Sequence, residues 1–235
     1  MLREIAVYAK ANKYAKVHPI EKLLLCILPI IIMGFVQTWG ILIFNILCFM
    51  LMHLIAQTPY KRVFKMVTEI VMFYLMSSIV LVFDRGMYFS ILMILRGISS
   101  ALCLSLFIFT TPFDFLLHYL SKFESIRDLC DISKNVERFF MLLEDEGNQI
   151  VLAMKSRGGF RGIKGRVNDM IRVMILLFHN SMERWKITQE VLAARSYKGK
   201  HYYGEALYSS KKSRIIGIMV YNIIFTSLTL LLGKI

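Results

Sequence analysis

The sequence predicts an all-α integral membrane protein: about five transmembrane helices, with amphipathic helices on the aqueous side between the fourth and the last. Three observations predict it. Hydrophobic residues make up 57% of the 235 and mean hydropathy is +0.57. Charged residues make up 19%, against roughly 25% in an average soluble domain. The charge is also unevenly placed, since 18 of the 29 Lys and Arg lie between Lys122 and Arg214.

The apolar half comes first. No Asp, Glu, Lys or Arg occurs from Leu23 to Tyr60, room for two hydrophobic helices broken at Gln37-Thr38-Trp39-Gly40. A polar tetrad with Trp and Gly suits a turn at the lipid interface. The first helix, 20–36, is short for a span of about 20 residues and carries Pro29, so a re-entrant hairpin is the alternative to two full spans. A third span is expected at 64–83 and a fourth at 87–111, joined by the short link Asp84-Arg85-Gly86, and a fifth at 215–232 closes the chain. The resulting division is 1–111 as an N-terminal membrane region, 112–213 as an aqueous-side helical region and 214–235 as a last span. No small-residue cleavage site follows the first apolar run, so the N-terminal segment is expected to be retained.

The net charge of +13 points either to nucleic acid or to membrane topology, and the loop distribution favours topology. Arg3, Lys10, Lys13, Lys16 and Lys22 precede the first span, and Lys61, Arg62 and Lys65 follow the second. The opposite side holds the neutral tetrad, one Asp-Arg pair and Lys234. The positive-inside rule then places the N-terminus and the polar segment in the cytoplasm and the C-terminus outside, in a multi-pass protein of the cell membrane. No nucleic-acid partner is expected.

Two ionisable residues fall inside the spans. Glu69 follows Lys65 by one helical turn and is expected to pair with it. Arg96 lies well inside the fourth span, where a charge costs roughly 2.5–3.5 kcal/mol on insertion scales. Gly97 and Ala101 beside it favour close helix packing. Arg96 is either an intramembrane polar contact in a substrate path or an arginine bonded to backbone or hydroxyls within the bundle.

Thr110-Thr111-Pro112 should end the fourth span, because proline lacks the N–H that would continue the ladder. Phe113, Phe115, Leu116, Leu117, Tyr119 and Leu120 then form a short apolar helix. Val136, Phe139, Phe140, Leu143, Ile150 and Val151 recur at helical spacing, and that helix should stop at Gly158-Gly159. A basic linker (Arg161, Lys164, Arg166) is expected next, then a long helix from about Val167, apolar over 170–178 and charged beyond it.

The residues supply no recognisable chemistry. There is no phosphate-binding Gly-rich loop and no His-Glu-x-x-His, and the five histidines are scattered. Cys26, Cys48, Cys103 and Cys130 show no paired spacing, so neither disulfides nor zinc are implied. Fifteen methionines fit a soft-metal path or, more simply, the filling of apolar helices. No catalytic residue, metal site or cofactor is expected, and the protein reads as a non-enzyme.

What stands out is a repeated pattern. "AMKSRGGFRG" (153–162) and "LAARSYKG" (192–199) each set one arginine, Arg157 or Arg195, among small residues at a helix end. Small neighbours let a helix tip enter a groove, and guanidinium offers a rigid, permanently charged fork for carboxylate or carbonyl oxygens. The simpler reading is that each arginine caps a helix C-terminus, which favours cations by about 0.3–1 kcal/mol.

The stretch "ILRGISSALCLSLFIFTTPFDFLLHYL" (94–120), the two arginine tracts in order, the final apolar span and "VHPIEKLLL" (17–25) together resemble the transmembrane T component of energy-coupling factor transporters, the EcfT/CbiQ family. The resemblance covers most of the chain. It implies a scaffold and coupling subunit of an ABC-type importer, docked on two ABC-type ATPase subunits (homo- or heterodimer) and holding a membrane S component that binds the substrate. It further implies that Ser156, Arg157 and Gly158, and Ala194, Arg195 and Ser196, are the ATPase-coupling residues. Ser stands in the first triplet where the family has Ala, and in the second where it has Gly. The transported substrate would be a vitamin or a transition metal ion, with the N-terminal stretch 8–22 closer to the cobalt/nickel branch. The alternative is a membrane scaffold or lipid-binding protein whose basic cytoplasmic segment has no ATPase partner.

Overall fold

A computed structural model describes residues 2–196, 210 and 212–232, and among these all regular structure is helical. The helices are α1 (Leu2–Ala11), α2 (Pro19–Met33), α3 (Trp39–Ile55), α4 (Tyr60–Arg85), α5 (Met87–Thr110), α6 (Phe113–Leu120), α7 (Glu124–Ser156), α8 (Gly162–Ala194) and α9 (Lys212–Leu232). Tyr197, Lys198 and Gly199 of the second arginine tract, with His201 and Lys234, lie outside the described residues. The chain divides into two units, residues 1–116 with 205–235, and residues 117–204.

In the first unit five apolar helices occupy the five expected places, but they are not five equal spans. Three are long and apolar enough to cross a membrane: Tyr60–Arg85, Met87–Thr110 and Lys212–Leu231. Helix α3 has 17 residues and α2 has 15, so at 1.5 Å per residue α2 reaches about 22 Å, short of a hydrocarbon core of about 30 Å. Pro19 opens α2 at a position where its missing N–H costs nothing, and the His18 ring accepts from the Ile20 N–H at 3.3 Å.

Helix α5 is the centre of this unit and packs against α1, α2, α3 and α4, while α9 closes on α2 and α3. Small residues make that possible. Ser90, Gly97, Ser99, Ala101, Cys103 and Ser105 are all buried on α5, and in a membrane, helices associate through such close backbone approach rather than through hydrophobic transfer. Helix α4, by contrast, touches little besides α5 and exposes Phe64, Phe73, Met76 and Phe83. The α4–α5 link is shorter than the sequence suggests. Asp84 and Arg85 belong to the last turn of α4, and Gly86 alone makes the reversal at φ 85°, ψ 174°, a conformation that excludes a Cβ.

The Lys65–Glu69 pair forms at 3.9 Å. Arg96 has a backbone partner, its Nη2 donating to the Val36 carbonyl in the connection between α2 and α3. At the same end of the bundle Trp39 stacks on Tyr88 at 5.1 Å, and the Tyr88 hydroxyl donates to the Gln37 carbonyl at 2.8 Å. The interfacial tetrad is therefore only partly a turn, since Trp39 and Gly40 already form the first turn of α3.

The second unit is an antiparallel pair of 33-residue helices, α7 and α8. Phe139 meets Trp185 with ring centroids 6.0 Å apart. Further along, Glu146 accepts from Asn180 Nδ2 at 2.8 Å and pairs with Arg184 at 3.1 Å. Only a narrow seam is covered: Val173 is buried on α8, whereas Met170, Met174, Ile175 and Phe178 are exposed. One expectation is corrected here, the start of α8. Helix α7 starts twelve residues before Val136, at Glu124, and α8 starts at Gly162 rather than near Val167, so Lys164 and Arg166 are helical and not part of a linker. Cations in a first turn oppose the helix dipole, which is why the sequence reads there as a loop. Helix α8 nonetheless packs against α7.

Candidate functional site

The first arginine tract is a helix end closed by two backbone bonds. Gly158 N–H donates to the Lys155 carbonyl and Gly159 N–H to the Met154 carbonyl, each at 3.0 Å. Together they satisfy the carbonyls an α-helix leaves open at its C-terminus, and they require a left-handed residue after the cap. Gly158 is that residue, at φ 80°. Gly159 is needed for a different reason, because a Cβ there would lie 2.8 Å from the Met154 carbonyl oxygen and 3.1 Å from Asp169 Oδ2. Asp169, on α8, also accepts from the Phe160 N–H at 2.6 Å, tying the reversal to the second helix.

This geometry sets Arg157 at the cap itself, φ −86°, ψ 11°. Ser156 is the last helical residue, and its Oγ donates back to the Ala153 carbonyl at 2.9 Å, so it turns inward and leaves the cap to arginine. Arg157 is exposed, and among the described residues nothing bonds or pairs with its guanidinium. Arg161, which sequence reasoning left in a linker, lies with Nη2 3.5 Å from where a Gly158 Cβ would stand, adding a second cation to the same tip.

The second tract repeats the arrangement. Arg195 caps α8 at φ −87°, ψ 8°, within a few degrees of Arg157. Ser196 follows in the left-handed region at φ 51°, its N–H donating to the Ala193 carbonyl at 3.0 Å. That is the counterpart of the Gly158 bond. Ala194 ends the helix, and Arg195 is exposed, with no bond or ion pair from its guanidinium among the described residues. The sequence shows the repeated arginine among small residues but not the matching cap geometry, because serine stands where the first tract has glycine.

The structure does not bring the two tips together. Arg157 precedes α8 and Arg195 follows it, so the 33 residues of that helix separate them, about 50 Å at 1.5 Å per residue. Each tip presents a permanent cation on a small-residue shoulder, and one groove cannot hold both. Arg96 belongs to the other unit and is engaged with the Val36 carbonyl.

The matched family is described as a cobalt transport protein, CbiQ, and its model covers residues 10–203. The chain belongs to the CbiQ family. No curated protein matches the sequence. Membership makes the chain a membrane permease component of the energy-coupling factor class of transporter. Both arginine tips fall within the matched residues, as do α2–α8.

Other reactive groups carry little. Among the described residues no group of three or more His, Cys, Asp or Glu is placed to hold a metal ion. The Cys130 thiol of α7 is pushed up by burial and then by Asp131, so it stays protonated and unreactive. His118 is held below the ordinary histidine range by burial and by Lys122 and Lys134, and is neutral at pH 7.

The glycine and serine after the two caps should respond oppositely to substitution. Gly159→Ala drives a Cβ into a backbone carbonyl that is itself hydrogen-bonded, a steric cost of about 1–3 kcal/mol. Ser196→Gly removes the left-handed penalty at φ 51° and should stabilise the second tip by roughly 0.5–1 kcal/mol after the entropy glycine adds to the unfolded chain. Thermal unfolding of the two variants in detergent reads both signs. An unchanged midpoint for Gly159→Ala would mean the first tip is not closed as described.

Proposed function

We propose that the chain is the non-catalytic transmembrane coupling subunit of an energy-coupling factor importer. Arg157 and Arg195 are the pegs through which two ABC-type ATPase subunits move a membrane-embedded, substrate-binding S component. The observation that carries the reading is the recurrence of one helix end, down to the cap dihedrals, at two places about 50 Å apart. A globular subunit of about 250 residues is roughly 45 Å across. Tips at this spacing suit two neighbouring subunits, one peg each.

The physical consequence is a lever. Each peg sits on the end of a 33-residue helix, and the chain enters this pair from α5 through Pro112 and leaves it for α9. When two ATPases close on nucleotide, the grooves holding the pegs move relative to one another, and the helices convert that motion into a tilt or shear of the spans. The substrate is a vitamin or transition metal ion, and the family description favours cobalt.

The distribution of ionic groups supports a cytoplasmic N-terminus and coupling segment and an external C-terminus. Glu4–Arg62 at 2.7 Å, Lys10–Asp114 at 2.6 Å and Glu21–Arg214 at 3.5 Å all lie at the end of the bundle from which α2, α4 and α9 start. The opposite end carries the aromatic pair Trp39–Tyr88.

Purification of the tagged chain from its native membrane tests the whole reading. Nucleotide-binding subunits and a second small membrane protein should accompany it in fixed proportion. Recovery of the chain with lipid alone would favour the scaffold alternative and end the coupling assignment.

A further inference from the structure

A cavity of about 290 Å³ opens in the first unit between α2, α3, α5 and α9. Its polarity is graded. Glu21, Lys22 and Arg214 line it, all in the first turns of their helices. One to two turns deeper the wall is Leu25, Leu106, Ile218 and Tyr221. Charges at the helix ends and apolar wall toward the middle is the layout of an amphiphile standing in a leaflet.

The charged rim is built into the fold. Glu21 and Lys22 are 4% and 6% exposed. Glu21 accepts from Ser210 Oγ at 2.7 Å and faces Arg214 Nε at 3.5 Å, so these two charges answer each other. Lys22 is different. Its ammonium makes one hydrogen bond, to the Thr110 carbonyl, and two of its three N–H donors have no partner among the described residues. A buried cation with open donors calls for an anion. Among the described lining residues two cations face one carboxylate.

We propose that this cavity binds an anionic phospholipid, its phosphate on Lys22 and Arg214 and the upper part of one acyl chain along Leu25, Leu106 and Tyr221. The volume lies at the lower edge of small-ligand pockets, about 300–1,000 Å³, enough for the start of a chain whose remainder stays in the bilayer. Gly217 lines the same cavity, and a Cβ there would meet no atom within 4 Å. The glycine leaves open a space that a larger residue could fill without a clash. The proposal needs only the membrane location, and its outcome leaves the ATPase-coupling reading untouched.

Native mass spectrometry of the full-length protein in mild detergent, with dioleoyl phosphatidylglycerol or dioleoyl phosphatidylcholine added, tests it. Phosphatidylglycerol should be retained preferentially, and Lys22→Gln should lower its retention about fivefold, the share of one cation at a lipid surface. Gly217→Leu leaves every charge in place and should abolish the preference by filling the cavity. Because that position is open, this variant keeps the test decisive even where Lys22→Gln does not fold. Millimolar inorganic phosphate should leave the bound lipid in place. Equal retention of the two lipids, a preference that survives Gly217→Leu, or displacement by phosphate alone would each overturn the proposal.

Discussion

Replacing both Arg157 and Arg195 by alanine should release the ATPase subunits, or leave them bound but unable to drive uptake, without preventing membrane insertion. Each guanidinium is exposed and unengaged among the described residues, so its removal leaves no buried partner unsatisfied within this chain. A charge-assisted hydrogen bond contributes about 1.5–3 kcal/mol. Each single variant should therefore weaken association about 10- to 100-fold, and the double variant far more, since the two pegs act as linked contacts. The capping explanation makes a different forecast. A lysine at either position keeps a cation at the helix C-terminus and so keeps the dipole interaction. It loses the planar fork. Lysine variants that restore full association and transport would reduce the arginines to helix caps, whereas variants that keep helicity by circular dichroism but fail to couple point to docking. Transport and ATPase association that survive the double alanine change would sink the coupling assignment.

The helical membrane class, the five apolar segments, the stop at Gly158-Gly159 and the break at Pro112 were all legible, because each rests on a local rule of hydropathy or backbone chemistry. Three things were not. The matching cap geometry of the two tips, beyond their repeated arginine, depends on Ser196 adopting φ 51°, and nothing local in Ala-Arg-Ser-Tyr announces a left-handed serine. The start of α8 was masked by Lys164 and Arg166, whose charges argue against a first turn until the contacts with α7 are known. The cluster of buried Glu21 and Lys22 with half-buried Arg214 joins residues nearly 200 positions apart, a pairing no window along the chain can find. The central role of α5 was half legible: Gly97 and Ala101 marked a packing face, but not that α5 meets four helices.

That packing face supports the second large effect. Gly97→Ala should loosen or displace α4, because the added Cβ would lie 2.5 Å from both Cγ and Cδ2 of the Tyr74 ring and 3.0 Å from its Cβ. The ring cannot yield by a simple rotation about its own axis, since its root is also in contact. Relief requires α4 to shift, and overpacking of this kind costs about 1–3 kcal/mol. Alanine's better helix propensity returns roughly 1 kcal/mol, so the net loss identifies the steric term. A double-mutant cycle separates the two: Tyr74→Ala clears the space, and Gly97→Ala in that background should become neutral or stabilising, giving a coupling energy of about 1–3 kcal/mol between contacting residues. Helix α4 packs against α5 and against little else, so displacement should appear as greater solvent or protease access along α4 at unchanged overall helicity. Equal effects of Gly97→Ala in both backgrounds would show that Tyr74 and Gly97 do not meet, and the α4–α5 contact would then have to run along another face.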